Sequence, residues 1–221
     1  MPSTALRYAA LLAGTAALTL AAAPAASFAS EVPFCNGVLA TTSWDGTDWV
    51  VGPGATVDDG TVIGSDGPDV IVGSQDADAI DSGGGADVIC GKDGADEITS
   101  GSGPDWIDGN AKDDVLFGET EDDFIFGGIG NDTIDGGSGN DTLFGELGHD
   151  VLIGAFGNAV IDGGPGDDEL YGGPGADTLH GRQGNDYLDG GTGTGDSSSG
   201  NGGTDVCVGG SEAGTDFNCE A

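Results

Sequence analysis

Aspartate is the residue whose spacing stands out in this chain. From Gly64 to Asp189 the sequence divides into fourteen consecutive nine-residue units, and the sixth residue is Asp in thirteen of them, Ala159 being the exception. Carboxylate oxygens are hard donors, suited to hard cations. The overall charge points the same way. The 221 residues carry 39 Asp and Glu against 4 Lys and Arg, a net charge of −35, together with 46 Gly. Like charges repel, and glycine gives up the most conformational entropy on ordering. Such a chain either stays disordered or binds something cationic, with its glycines serving the structure. It is not a nucleic-acid binder, which needs Lys and Arg against phosphate, nor a polybasic membrane-surface protein.

The other positions of the unit decide between disorder and order. The eighth residue is Ile or Leu in all fourteen units, from Ile71 to Leu188, and the fourth is Gly in eleven. A disordered chain has no reason to hold such phase. Each unit reads as a loop of six residues and a strand of three. In so short a strand the central Ile or Leu points to one face and its neighbours to the other. Glycine lets the loop backbone take positive φ. Short strands with tight turns between them stack as a parallel solenoid. Two units per coil give 18 residues per rung and about seven rungs, a rod of roughly 34 Å at ~4.8 Å per strand. Two facing ladders of Ile and Leu make a thin core, too small to outweigh the charge repulsion alone.

Units such as GSDGPDVIV (64–72), GKDGADEIT (91–99), GGIGNDTID (127–135) and GGSGNDTLF (136–144) resemble the hemolysin-type (RTX) calcium-binding nonapeptide, G-G-x-G-x-D-x-U-x. The resemblance implies an all-β fold, a right-handed parallel β-roll, capped at both ends because a solenoid end exposes its core. It also implies Ca²⁺ ions between loops one rung apart, held by backbone carbonyls and by the sixth-position carboxylates. Carried over by position, these ligands are Asp69, Asp78, Asp87, Asp96, Asp105, Asp114, Asp123, Asp132, Asp141, Asp150, Asp168, Asp177 and Asp186. Carboxylate and carbonyl oxygens suit Ca²⁺; Mg²⁺ prefers a tighter octahedron with retained waters, and Zn²⁺ would want His or Cys. Six gaps on each edge set an upper bound of about twelve ions. Asp76, Lys112 and Glu121 replace the fourth-position Gly, Lys112 stands near Asp114 in sequence, and Ala159 lacks a carboxylate. Those departures lower the expectation to roughly eight to ten ions.

Residues 1–29 contain Arg7, an apolar Ala/Leu stretch and Ser27-Phe28-Ala29 with small residues at −3 and −1, the pattern of a secretory signal peptide. Its removal leaves 192 residues with three bases against 39 acids, a net −36. No other stretch is apolar enough to span a bilayer. Export favours disulfides among Cys35, Cys90, Cys207 and Cys219, for which three connectivities exist. A Cys35–Cys90 bridge would fasten an N-terminal cap (30–63) over the first rungs, and Cys207–Cys219 would pin a C-terminal remnant and cap (190–221). After Asp189 the period slips: 190–199 holds ten residues before GNGGTDVCV (200–208) resumes it.

Nothing resembles a catalytic domain. H-E-x-x-H and G-x-S-x-G are absent, and His149 and His180 lie inside repeats. Outward-facing Phe124, Phe126 and Phe144 are expected on one sheet, and Val115, Phe117, Val151, Ile153 and Tyr171 on the other, as apolar stripes. Asp81, Asp108, Asp135, Asp162 and Asp189 recur every 27 residues without an evident reason. The expectation is a secreted, extracellular, non-enzymatic protein whose partners are calcium ions. The alternative is a calcium-dependent adhesin with a cell-surface or matrix partner.

Overall fold

The computed structural model describes residues 61–209 and short strands at 34–35, 38–39, 43–44, 49–51, 56–58 and 216–218. The expected signal peptide, Cys219 and the side chain of Cys35 lie outside the described residues. The described chain is all β and contains no helix. Its parallel strands form a solenoid of about 8 turns with ~18 residues per turn, a β-roll.

Two sheets stack along the roll, and successive units alternate between them. The register follows the repeat. Ile98 lies between Ile80 and Leu116 in one sheet, and Ile107 between Ile89 and Ile125 in the other, each step being two units. All fourteen eighth-position residues turn inward and are no more than 3% exposed. Together with Val62 and Ala159 they form a single apolar column. One buried side chain per strand leaves no redundancy. Ile125→Ala is expected to lower the stability of the folded protein by about 3 kcal/mol, read as a fall in its thermal midpoint. A change under a third of that would mean that the column is not the core.

Two details differ from the sequence expectation. The strands are unequal: one sheet has mostly three-residue strands such as Thr133–Asp135, the other six-residue ones such as Phe124–Ile129. On that side the first three loop residues also pair with the next rung, as Asn110 with Gly128 and Ala111 with Ile129. The roll also gains an eighth turn beyond Asp189. Ser197–Gly202 and Val206–Val208 join the two sheets at an offset of 19 instead of 18. The extra residue lies between Gly193, which still stacks on Gly175, and Asp196. A loop absorbs it, because only strand register constrains the stack.

At the N-terminal end antiparallel strands close the stack. Thr56–Asp58 pairs with Thr61–Ser65, and Trp49–Val51 pairs with Val70–Val72. Such strands occupy edges that would otherwise template further pairing. Phe34–Cys35 packs beside Val70–Val72 and Val88–Asp93. On the outside of these rungs Val72 and Cys90 are buried, with Val70, Val88 and Trp106 against them. The expected stripes are present. Phe126 stacks on Phe144 at 4.9 Å between ring centroids, Trp106 approaches Phe126 at 5.5 Å, and Phe124 is half exposed.

Candidate calcium-binding loops

The sixth-position aspartates come together as two columns, one on each edge of the roll. Each is fixed by the same contact: the main-chain N–H of one Asp donates to Oδ1 of the Asp one rung later. Asp132 thus donates to Asp150 at 2.8 Å, and Asp150 to Asp168 at 2.9 Å. Twelve such bonds join Asp to Asp. Two of them end on residues outside the thirteen expected from the sequence. Asp196 accepts from Asp177, and Asp205 from Asp186, both at 3.0 Å. Asp205 was legible, since GNGGTDVCV has its Asp in sixth place. Asp196 was hidden by the inserted residue.

The second carboxylate oxygen is what sets these loops apart. In fourteen ladder aspartates, all those named above except Asp78, one oxygen is buried with no hydrogen-bond partner. In eleven of the fourteen, all but Asp69, Asp87 and Asp105, that oxygen lies beside the first-position glycine of its own unit, which keeps a space open there. A Cβ on Gly145 would lie 2.5 Å from Asp150 Oδ2 and 2.6 Å from the Gly163 carbonyl oxygen one rung on; a Cβ on Gly172 would lie 2.6 Å from Asp177 Oδ2 and 2.8 Å from the Gly190 carbonyl. A carboxylate and a carbonyl thus address one small cradle, the donor set of a hard divalent cation such as Ca²⁺. Among the described residues no three acidic, His or Cys side chains converge, so main-chain oxygens must complete any coordination shell.

Burial raises the pKa of eleven ladder carboxylates. Asp96, Asp105, Asp150 and Asp177 are pushed up to about 6, Asp114, Asp132 and Asp168 to about 7, and Asp123 to about 8, from an ordinary 3.8. Loss of hydration is the main cause, the N–H from the preceding rung opposes it, and neighbouring carboxylates add to it. A divalent cation would relieve both the desolvation and the repulsion.

The departures from the repeat have visible consequences. Ala159, itself buried, stands between Asp141 and Asp177; its N–H still reaches Asp177 Oδ1 at 2.8 Å, but it returns no carboxylate to Asp141. Lys112 forms no ion pair with Asp114: the one ion pair among the described residues joins Arg182 to Asp162. The charges acting on Asp114 are those of Asp96, Asp132 and Asp113. Lys112 and Glu121 take their fourth positions at φ +92 and +75, a conformation that costs a non-glycine residue roughly 1 kcal/mol. The 27-residue aspartates have no common use: Asp162 holds Arg182 and Asp189 accepts from Gly191 N–H.

A second ladder runs along the fifth positions, in the opposite sense. Asn131 N–H donates to Asp113 Oδ1, His149 N–H to Asn131 Oδ1, Asp167 N–H to His149 Nδ1 at 2.8 Å, and Asn185 N–H to Asp167 Oδ1. Asp122, Asn140 and Asn158 repeat it on the other edge. The signal for it was the run of Asp, Asn and His in fifth place from unit 109–117 onward. Within it His149 serves as a hydrogen-bond acceptor.

The fold and these loops define a class: a parallel β-roll whose turns carry stacked, buried carboxylates. The RTX calcium-binding nonapeptide repeat profile matches residues 63–98, 91–125, 99–134, 126–161 and 162–195. Together these matches cover more than half of the chain, which belongs to the RTX calcium-binding nonapeptide repeat family. No curated protein matches the chain.

Proposed function

We propose that the protein is a secreted, non-enzymatic calcium-binding β-roll whose repeats fold on taking up roughly eight to ten Ca²⁺ ions, each at ~10⁻⁴–10⁻³ M, the range of extracellular calcium modules. The observation that carries this reading is the pair of columns of buried, unpartnered carboxylate oxygens. The ligands are the thirteen sixth-position aspartates from Asp69 to Asp186, extended by Asp196 and Asp205. Metal binding that assembles its own site is folding free energy. A chain of this kind stays open where calcium is scarce and folds where it is plentiful, outside the cell. The N-terminal signal pattern agrees with that compartment. The test is a calcium titration of the purified protein followed by isothermal calorimetry. Saturable heat in the millimolar range is expected, and its absence would remove the ligand assignment.

The same compartment favours disulfides. Among the described residues no cysteine is a free thiol. The Phe34–Cys35 strand packs beside the strand that holds Cys90, which favours Cys35–Cys90 and leaves Cys207–Cys219 across the C-terminal end. Peptide mapping without reduction should return these two pairs, and a Cys35–Cys219 peptide would refute them. Reduction is expected to cost about 2–4 kcal/mol of stability per bridge.

The exposed aromatic face favours a second reading, a calcium-dependent adhesin or surface-assembly module. Phe124, at 51% exposure beside the stacked Phe126 and Phe144, is the specific observation. Retention on purified cell wall or matrix in calcium, lost on chelation and in a Phe124→Ser variant, would favour it over a calcium buffer.

A further inference from the structure

Four serines stand on the cradles at the N-terminal end of the roll, and they treat them differently from the glycines further on. In the first rung of each column the second-position serine closes on the carboxylate. Ser65 donates both its N–H, at 2.6 Å, and its hydroxyl, at 2.9 Å, to Asp69 Oδ2, and Asp69 Oδ1 alone stays without a partner. Ser74 donates its N–H to Asp78 Oδ2 at 2.6 Å and its hydroxyl to Asp78 Oδ1 at 3.1 Å, so Asp78 keeps no unpartnered oxygen. Two rungs of one column then replace the first-position glycine itself. Ser82 and Ser100 are fully buried, so a Cβ and a hydroxyl occupy the space that glycine leaves open beside Asp150. Their hydroxyls donate to the first-position carbonyls of the next rung, Ser82 to Ser100 O at 2.7 Å and Ser100 to Gly118 O at 3.0 Å. Those carbonyls correspond to Gly163 O, which faces the open cradle above Gly145.

We propose that Ser65, Ser74, Ser82 and Ser100 take the place of calcium in the first three gaps of one column and the first gap of the other, so that the N-terminal rungs close without metal and template the calcium-bound rungs behind them. The proposal rests on the calcium reading above and specifies which loops that reading applies to. A bound cation needs that space open, and at Ser82 and Ser100 a buried Cβ and hydroxyl already fill it, the hydroxyl bonded to the carbonyl that faces it. The same rungs are the ones with additional apolar burial: the outer cluster of Val72 and Cys90, with Val70, Val88 and Trp106, lies on them. They also adjoin the antiparallel strands at that end. This end therefore has the serine hydrogen bonds and the extra core to hold together when the rest of the roll lacks its ions, although of its carboxylates only Asp78 is fully partnered and Asp69, Asp87 and Asp105 each keep one buried unpartnered oxygen. Of the twelve gaps bounded by two aspartates, these four are closed by serine, which leaves eight for Ca²⁺.

The test uses the full chain and reads ion stoichiometry by native mass spectrometry, with hydrogen exchange in chelator. The wild type is expected to hold about eight Ca²⁺. A Ser82→Gly/Ser100→Gly variant should gain two ions, because it restores the glycine cradle found at Gly118. Gly118→Ser should lose one, and it introduces a residue that the same column already accommodates at two positions. In chelator, amides of residues 61–107 should exchange more slowly than those of 118–208, and the double variant should lose that difference. Unchanged stoichiometry in both variants, or uniform exchange in the chelated wild type, would overturn the proposal while leaving calcium binding intact. A wild type that takes up no calcium would overturn both readings.

Discussion

Removing calcium at pH 7.5 is expected to abolish most of the β-structure, seen as loss of the far-ultraviolet β band and of protection from hydrogen exchange beyond the first rungs. The magnitudes decide this. Fourteen ladder aspartates each bury an oxygen without a partner. Leaving a buried polar acceptor unsatisfied costs about 1–3 kcal/mol, more when it is charged. Summed over the columns, that exceeds the whole stability of a typical domain, about 5–15 kcal/mol. Repulsion within a chain of net charge −35 acts in the same direction. Against it stands a core one side chain wide. Restoring calcium should restore the band, with a midpoint in the range ~10⁻⁴–10⁻³ M. An identical spectrum in chelator and in calcium would contradict coupled folding.

Acid should rescue the metal-free chain. Eight of the ladder carboxylates, Asp96, Asp105, Asp114, Asp123, Asp132, Asp150, Asp168 and Asp177, have folded-state pKa values of about 6 to about 8, above the ordinary 3.8 that they regain on unfolding. Between those values the folded form binds more protons than the unfolded form, so stability falls as pH rises. The metal-free roll is therefore most stable below about pH 4 and loses that stability as pH climbs through 6 to 8. Every tenfold gain in a carboxylate's proton affinity on folding corresponds to about 1.4 kcal/mol, before solvent screening. In chelator, acidification from pH 8 to 5 is expected to recover β-structure cooperatively. With calcium the trend reverses, because protons compete for the same oxygens, and affinity should drop over the same window. Metal-free protein that gains no structure between pH 8 and 5 would show that carboxylate charge is not what holds it open.

The repeat was legible because the roll is nearly one-dimensional. Each rung touches only its neighbours, so a fixed period in sequence becomes a fixed translation in space. Ile71 to Leu188 could be placed in the core, and Asp69 to Asp186 on the edges, from phase alone. Asp196 escaped because one residue inserted after Gly193 breaks phase while leaving strand register intact. The fifth-position ladder of Asp113, Asn131, His149, Asp167 and Asn185 escaped for another reason. Its side chains differ chemically and share only the ability to accept one hydrogen bond from the next rung.

By itself the sequence determined the period, the inward column, the edge carboxylates and the need for a cation, since these follow from residue type and spacing alone. Only the tertiary structure decided how each carboxylate divides its two oxygens. From Asp114 onward one accepts a backbone N–H from the neighbouring rung, and the other is left beside a glycine. It also decided that Ser82 and Ser100 fill such spaces, and that Ser65 and Ser74 bond to the carboxylate beside them, while the glycines leave the space open. Those outcomes depend on which groups of one rung meet the next at hydrogen-bond distance, and that is settled only when the rungs are stacked.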